Sequence, residues 1–360
     1  MNTDSEGRTP AICHWPFAIG YLRLWLCSIA FTCGSPLLLA ANAPQLVSVM
    51  KIWDGAPHNA FTDLTRFHDQ WFCTFRESEG HVRGNGSIRV ITSADGEHWE
   101  SAALLSEESI DLRDPKFSVT PDGRLMLILG GSVYENKVLK ERQPRVAFSK
   151  DGHTWTTPQR VLAKGDWLWR VTWHKGRAYG ITYSHASKAT PTNEWTITLV
   201  ASDDGVAFRP VATLAVSSRP NESTLRFLPN DDCVALVRRE GFPDNPDKDA
   251  WIGTSQPPYK DWHWHSAGMS VGGPNFLVLP SGALVASGRQ SNPKPATAKT
   301  FVGPMTLDSV KAELILPSGG DCSYPGLVWH DGLLWVSYYS SHEAKTSIYL
   351  AKVRLPGQKP

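Results

Sequence analysis

One pattern recurs six times along this chain, and no other feature limits its fold as strongly. A turn rich in Asp, Asn or Gly leads into an apolar strand-like run and then into polar residues. The copies read HDQWFCTFRES (68–78), PDGRLMLILGG (121–131), HKGRAYGITYS (174–184), PNDDCVALVRR (229–239), PSGALVASGRQ (280–290) and HDGLLWVSYYS (330–340), so successive copies start 50–55 residues apart. A second strand-like run precedes each one: HNAFTDLTRF (58–67), DLRDPKFSVT (111–120), WLWRVTWH (167–174), RPNESTLRFL (219–228), GGPNFLVLP (272–280) and DCSYPGLVWH (321–330). The unit is a β-hairpin with further strand beyond it, and no stretch carries a capped 3.6-residue period. A content of 15 Trp, 29 Gly and 26 Pro fits many short strands and turns better than helices. The pattern predicts an all-β fold, a six-bladed β-propeller of four-stranded antiparallel blades. Residues 44–360 then form one domain, because they divide into six units of about 53 residues. An open ring would leave strand edges unpaired. The run LVSVMKIW (46–53) is therefore expected to complete the last blade, beside strands near 321–330, 333–339 and 346–354.

A second repeat runs in phase with the first. Ser93 to Trp99 (SADGEHW), Ser149 to Trp155 (SKDGHTW) and Ser202 to Phe208 (SDDGVAF) share Ser, Asp, Gly and a closing aromatic, and Ser255 to Trp262 is a degenerate fourth copy. The logic is that of a tight turn. Asp accepts backbone N–H bonds, Gly takes positive φ, and the aromatic packs beneath.

The N-terminal segment has the character of an export signal. Leu24 to Ala41 is the most apolar stretch, Arg23 stands before it, and Ala41-Asn42-Ala43 supplies a small-x-small cleavage pattern. Residues 1–43 are expected to be removed, leaving a periplasmic or extracellular protein with no membrane segment in its mature form. A retained anchor is the alternative, although the run is short for a span and includes Gly34, Ser35 and Pro36. The mature chain keeps Cys73, Cys233 and Cys322, enough for one bridge at most, and no C-x-x-C pair suggests a zinc site. With 36 Lys+Arg against 35 Asp+Glu, the charge gives no reason to expect a nucleic-acid or anionic-membrane partner. A hydrophobic fraction of 41% excludes wholesale disorder.

The Ser-x-Asp-x-Gly-x-x-Trp type of turn, here in a form one residue shorter, resembles the Asp-box of the sialidase superfamily. In that family the boxes are structural and lie far from the active site. Two further segments resemble sialidases. Asn221-Glu222-Ser223-Thr224-Leu225-Arg226-Phe227, followed by a strand ending Val237-Arg238-Arg239, is similar to the family's glutamate-then-arginine blade. Ser323-Tyr324-Pro325-Gly326-Leu327, followed by His330-Asp331-Gly332, is similar to its nucleophilic-tyrosine blade. The resemblance implies Tyr324 and Glu222 as a catalytic pair on the innermost strands of blades six and four, with the carboxylate taking the phenol proton.

In a propeller the innermost strands converge on the axis, and residues near their starts face one hollow. Collected by blade these are Asp63, Arg113, Asp114, Arg170, Glu222, Asn275 and Tyr324. A bland core would not choose so polar a set, although structural ion pairs tying blades together would. The ends of the second strands add Arg76, Arg238 and Arg289. Three guanidiniums on one rim point to an anionic substrate held through its carboxylate, as sialidases hold theirs. The innermost strand of blade one, however, lacks the arginine that family places there. The proton donor has three candidates: His81 and Glu77 from the first blade, where the family's loop Asp is missing, and Asp114. Trp167, Trp169, Trp262 and Trp264 are candidate platforms for sugar rings, with blade packing the commoner use of such residues.

The sequence thus leads to an exported, exo-acting glycoside hydrolase for a terminal acidic sugar, similar to sialidases, retaining in stereochemistry, and without metal or organic cofactor. Two rivals stand beside it. One is a uronate-acting lyase or glycosidase on the same scaffold, with His81 and Tyr324 as acid and base in the lyase case. The other is a non-catalytic carbohydrate-binding propeller. A binder need not bring the Glu222 carboxylate within hydrogen-bond reach of the Tyr324 hydroxyl, whereas the enzyme must.

Overall fold

The computed structural model describes residues 43–82, 84–184, 194–290 and 298–358. The expected export segment therefore lies outside the described residues, apart from Ala43. Twenty-four strands form six separate four-stranded antiparallel sheets, and there is no helix among the described residues. The chain is a six-bladed β-propeller.

β1 (Gln45–Trp53) is the outermost strand of the last blade. Blade one is β2 (His58–Phe67), β3 (Gln70–Ser78), β4 (Ser87–Ser93) and β5 (Glu100–Leu105). Blade two is β6 (Asp111–Val119), β7 (Leu125–Glu135), β8 (Val138–Ser149) and β9 (Gln159–Arg160). Blade three is β10 (Asp166–His174), β11 (Arg177–Ser184), β12 (Thr196–Ser202) and β13 (Arg209–Leu214). Blade four is β14 (Pro220–Phe227), β15 (Cys233–Arg239), β16 (Trp251–Ser255) and β17 (His263–Ser266). Blade five is β18 (Gly272–Val278), β19 (Leu284–Gln290), β20 (Lys299–Met305) and β21 (Leu314–Ile315). Blade six is β22 (Cys322–His330), β23 (Leu333–Ser340) and β24 (Ser347–Arg354), closed by β1, which pairs antiparallel with β24 from Gln45↔Arg354 to Trp53↔Ile348. The closure expected from the edge-strand argument is the one observed. It joins the two ends of the ring with backbone hydrogen bonds.

Apolar side chains fill the spaces between adjacent blades. Phe72, Val90, Leu112, Phe117 and Leu127 pack blade one on blade two, and Leu279, Val302, Leu334 and Val353 pack five on six. The third-to-fourth-strand turns add to this seal. In SKDGHTW, Ser149 Oγ donates to Asp151 Oδ1 at 3.0 Å, the His153 and Thr154 amides donate to Asp151 Oδ1 at 2.8 and 2.7 Å, and Trp155 Nε1 donates to Gly152 O at 3.0 Å. Gly152 has φ +80°, and a Cβ there would lie 2.3 Å from Phe72 of blade one, so both conformation and space demand glycine. The fourth copy is built differently. Ser255 Oγ donates to Asp261 O, while Trp262 Nε1 still reaches back three residues, to Tyr259 O. Cys73, Cys233 and Cys322 are free and buried.

All six innermost strands break register at the same height. The breaks fall between Ala60/Asp63, Arg113/Lys116, Leu168/Val171, Pro220/Ser223, Gly272/Asn275 and Ser323/Gly326. In each, two residues of the inner strand oppose one of the second strand, which is a β-bulge. Bulges bend a strand and re-aim its side chains, and proline is tolerated within them because no ladder N–H is needed. Pro115, Pro274 and Pro325 occupy such places. The inter-blade bonds gather at this level. Thr62 Oγ1 donates to Tyr324 O (2.9 Å), Thr224 Oγ1 to Pro274 O (2.7 Å), Asn275 Nδ2 to Pro325 O (2.9 Å) and Thr172 Oγ1 to Leu225 O (2.8 Å). Asp63 completes the ring. Its Oδ2 accepts from Phe117 N of blade two at 2.8 Å, and its two oxygens take Arg170 of blade three at 2.8 and 3.0 Å. The Asp63 and Arg170 side chains are 2% and 6% exposed.

Breaking one side of a buried, bidentate pair leaves a charge without compensation. Asp63→Asn is expected to lower unfolding stability by about 3–5 kcal/mol, measured by urea denaturation. A loss below about 1 kcal/mol, the scale of an exposed pair, would show that blades one to three do not depend on it.

Candidate active site

The bulges decide which side chains meet. On β14 the bulge turns Glu222 to the axis, and on β22 it does the same for Tyr324, which holds φ +52°. Tyr324 Oη donates to Glu222 Oε1 at 2.5 Å, and both residues are 7% exposed. Arg238, opposite the β14 bulge, donates through Nη1 to Glu222 Oε2 at 2.7 Å and to Tyr324 Oη at 3.2 Å. The Gly273 amide, in the β18 bulge, donates to Glu222 Oε2 at 2.9 Å. Gly273 sits at φ +58° under the phenol ring, where a Cβ would come 2.9 Å from Tyr324 Cδ2. Three blades thus fix one carboxylate and one hydroxyl.

The electrostatics follow from those contacts. Burial opposes ionisation of Glu222, but the charge of Arg238 and the hydrogen bonds from Tyr324 and Arg238 outweigh it and hold the carboxyl below its ordinary range. Burial and the adjacent Glu222 charge push the Tyr324 phenol well above its usual value, against the pull of Arg238 and Arg289. The resting state is therefore a neutral phenol hydrogen-bonded to an ionised carboxylate.

Asp114 lies in the β6 bulge at φ +49°, and its Oδ1 is buried without a hydrogen-bond partner among the described residues. Burial raises its pKa despite the opposing charges of Arg113 and Lys116. One carboxyl is thus shifted up and the other down, the kind of divergence that acid/base catalysis uses. Lys116 is buried, with Nζ 4.7 Å from the Trp169 ring centroid and 6.0 Å from that of Tyr324, and burial lowers its pKa to about 8.

The remaining expected residues divide into two groups. Arg289 stays near the site, with its guanidinium 5.7 Å from the Tyr324 ring centroid and Nη1 donating to Cys322 O at 3.2 Å. Among the described residues no carboxylate pairs with it. Arg113 lies 4.9 Å over the Phe61 ring and donates to His81 O at 3.0 Å. Arg76, expected on the rim, is instead fully buried, with Nε 2.7 Å from Asp111 Oδ1 and Nη1 donating to Gly80 O at 2.7 Å. Asp63, Arg170 and Asn275 serve as the axial ties described above. Arg238 is shared between Glu222 and Glu240, whose Oε1 lies 2.6 Å from its Nη2. Of the arginines expected to hold an anionic group, Arg289 is the one that no described carboxylate matches.

His81 Nδ1 is 2.7 Å from Asp321 Oδ2, and the Phe61 ring contacts both His81 and Tyr324, with centroids 5.1 and 5.2 Å away. Glu77 is bound to Arg89 and Trp53. Trp167 and Trp169 are buried, and Trp262 and Trp264 stack on each other at a 5.3 Å centroid separation. Sequence reasoning passed over Asp321, Tyr339 and Lys116. Lys116 stood in the run DLRDPKFSVT (111–120), and Asp321 immediately precedes an inner strand. Position at a strand start was the available signal for Asp321.

No family model and no curated protein matches the sequence. Solved structures do match in fold. A Dyadobacter fermentans protein of unknown function superposes with TM-score 0.73 at 19% identity, over 87% of this chain and 99% of the other. Trypanosoma rangeli sialidase in complex with the inhibitor DANA gives TM-score 0.66 at 10% identity, over 86% of this chain and 58% of the sialidase. The GH93 α-L-arabinofuranosidase of Fusarium graminearum, complexed with arabinobiose, gives 0.64 at 16% identity, over 85% and 98%. At these identities the likeness establishes the shared fold.

The Asp114 environment has a measurable consequence. A carboxyl whose pKa is raised by folding binds protons more tightly when folded, so it costs stability above its folded pKa and none below its unfolded value of about 3.9. Asp114→Asn is expected to melt at a higher temperature than the parent at pH 7, with the difference closing towards pH 4. An Asn variant less stable than the parent at pH 7 would contradict the raised pKa.

Proposed function

We propose that this protein is an exported, exo-acting glycoside hydrolase that retains anomeric configuration. The observation that carries the reading is the buried Tyr324–Glu222 contact of 2.5 Å, on the same set of inner-strand bulges as Asp114, whose pKa burial raises. A binding protein has no need to bury a phenol on an ionised carboxylate. Support for the class comes from the glycosidases among the fold neighbours. Support for export comes from the apolar segment Leu24 to Ala41 and the Ala41-Asn42-Ala43 pattern after it.

In the first half-reaction Asp114 gives its proton to the leaving glycosidic oxygen while Tyr324 Oη bonds to the anomeric carbon. The phenol proton passes to Glu222. Ordinary phenol and carboxyl pKa values differ by about 6 units, roughly 8 kcal/mol, and both groups are shifted further apart here. The phenolate is therefore not preformed, and proton transfer accompanies C–O bond formation. Water then attacks the glycosyl-tyrosine with Asp114 as base, and Glu222 returns the proton.

A second assignment has its own support. Glu222 is ionised, and its Oε2 is anchored by Arg238 and Gly273, which is also the posture of a carboxylate nucleophile with Tyr324 as its orienting donor. Trapping with a fluorinated aryl glycoside and mapping the labelled peptide separates the two. Label on Tyr324 supports the first assignment, label on Glu222 the second. Tyr324→Phe should reduce kcat by about 10³-fold or more if the phenol is the nucleophile, and by roughly tenfold if it only orients. Activity equal to the parent in both Tyr324→Phe and Glu222→Gln would remove this site from the chemistry.

The acidic-sugar part of the proposal rests on Arg289. Arg289→Ala should raise KM for aryl uronides or sialosides by about tenfold or more, while leaving neutral aryl glycosides within about twofold. An equal effect on both classes would argue for a neutral sugar.

A further inference from the structure

Next to this site stands a cluster that the proposed chemistry does not use. His58 opens β2, His81 lies in the β3–β4 loop, and Asp321 immediately precedes β22. His58 Nε2 is 2.9 Å and His81 Nδ1 2.7 Å from the same oxygen, Asp321 Oδ2, and the three donor atoms lie within 4.8 Å of one another. The other carboxylate oxygen, Oδ1, accepts the Tyr339 hydroxyl at 3.0 Å, and the Asp321 amide donates to Ser341 Oγ at 2.9 Å. These bonds fix the carboxylate with Oδ2 presented to the imidazoles.

We propose that His58, His81 and Asp321 bind one divalent first-row transition cation, with zinc the first choice. Two imidazoles and one carboxylate form a donor set that such ions take while keeping further positions open. Tyr339 is then the outer partner that orients the carboxylate, as metal-bound carboxylates commonly require. A four-coordinate zinc with bonds of about 2.0–2.1 Å holds its ligands roughly 3.3 Å apart. Binding therefore widens the present nitrogen–oxygen contacts by about half an ångström. The structure allows that movement, because the His81 side chain is 47% exposed on its loop, whereas that of His58 is 10% exposed and anchored. The exposed side also provides the entry path and the open coordination positions. The Phe61 ring contacts both the cluster and Tyr324, with centroids 5.1 Å from His81 and 5.2 Å from Tyr324. An open position would therefore take a hydroxyl or carboxylate oxygen of a sugar lying across that ring.

The test is metal binding to the full chain after chelator treatment and dialysis, followed by visible absorption during Co²⁺ addition and by calorimetry with Zn²⁺. One equivalent of Co²⁺ should give d–d bands, and Zn²⁺ should bind with the same stoichiometry and raise the melting temperature. Affinity should fall as pH is lowered, because protons compete with the ion for the imidazole nitrogens. His81→Gln, whose exposed side chain makes it a safe replacement for folding, should abolish the bands, and Tyr339→Phe should weaken binding by roughly tenfold. Absence of bands and heat in the parent protein would overturn the proposal and leave two histidines that merely share a carboxylate. Equal binding by His81→Gln would overturn it as well, by placing the ion elsewhere. None of these readouts depends on glycosidase activity, so either proposal can fail alone.

Discussion

A single carboxylate on the propeller axis carries an unusual share of the architecture. Asp63 belongs to blade one, accepts an amide from blade two and neutralises Arg170 of blade three. Lys116 and Arg226 are also drawn to its charge, and burial lowers the pKa of both. Convergence of six inner strands would otherwise crowd cations into a water-poor centre, where uncompensated charge is costly. With that charge balanced, the strands can approach closely enough for Thr62, Thr224 and Asn275 to bond the bulge carbonyls of neighbouring blades.

The bulges above that ring turn a structural necessity into a site. A regular strand alternates its side chains between faces and cannot aim two neighbours along the axis. The extra residue in each inner strand changes that, and it does so at a conformational cost. Phe61, Asp114 and Tyr324 all sit in the left-handed region, which bulky residues seldom enter. Such strain persists where surrounding packing over-determines it. The result is two carboxyls shifted in opposite directions and a phenol bonded to the one held low. The Phe61 ring packs on both sides of that site, 5.1 Å from the His81 ring and 5.2 Å from that of Tyr324.

The arginines show how differently one residue type is used within a few strands. Arg76 is consumed by Asp111, and Arg238 is divided between Glu222 and Glu240. Among the described residues no carboxylate pairs with Arg289, which donates to the Cys322 carbonyl and lies over the Tyr324 ring. A rim of three guanidiniums is thus reduced to one that no described carboxylate matches, and the affinity for anions that a sequence count implies is correspondingly smaller.

The blade count, the two inner strands of each blade and the closure by residues 46–53 were legible in the sequence, and the resemblance to sialidases implied the meeting of Tyr324 with Glu222. The first three follow from a repeat whose period fixes strand number and from the need to close the ring, which local chemistry encodes. What the repeat could not convey was which polar residue pairs with which. Asp63 lies 107 positions from Arg170, and Asp321 lies 240 from His81. Those pairings depend on the angular order of the blades and on bulges that shift side chains by one place, features with no signature in a single strand. Local sequence therefore determined the ring and the identity of the groups pointed into it. Only tertiary structure decided their charge states, because burial and distant partners set those.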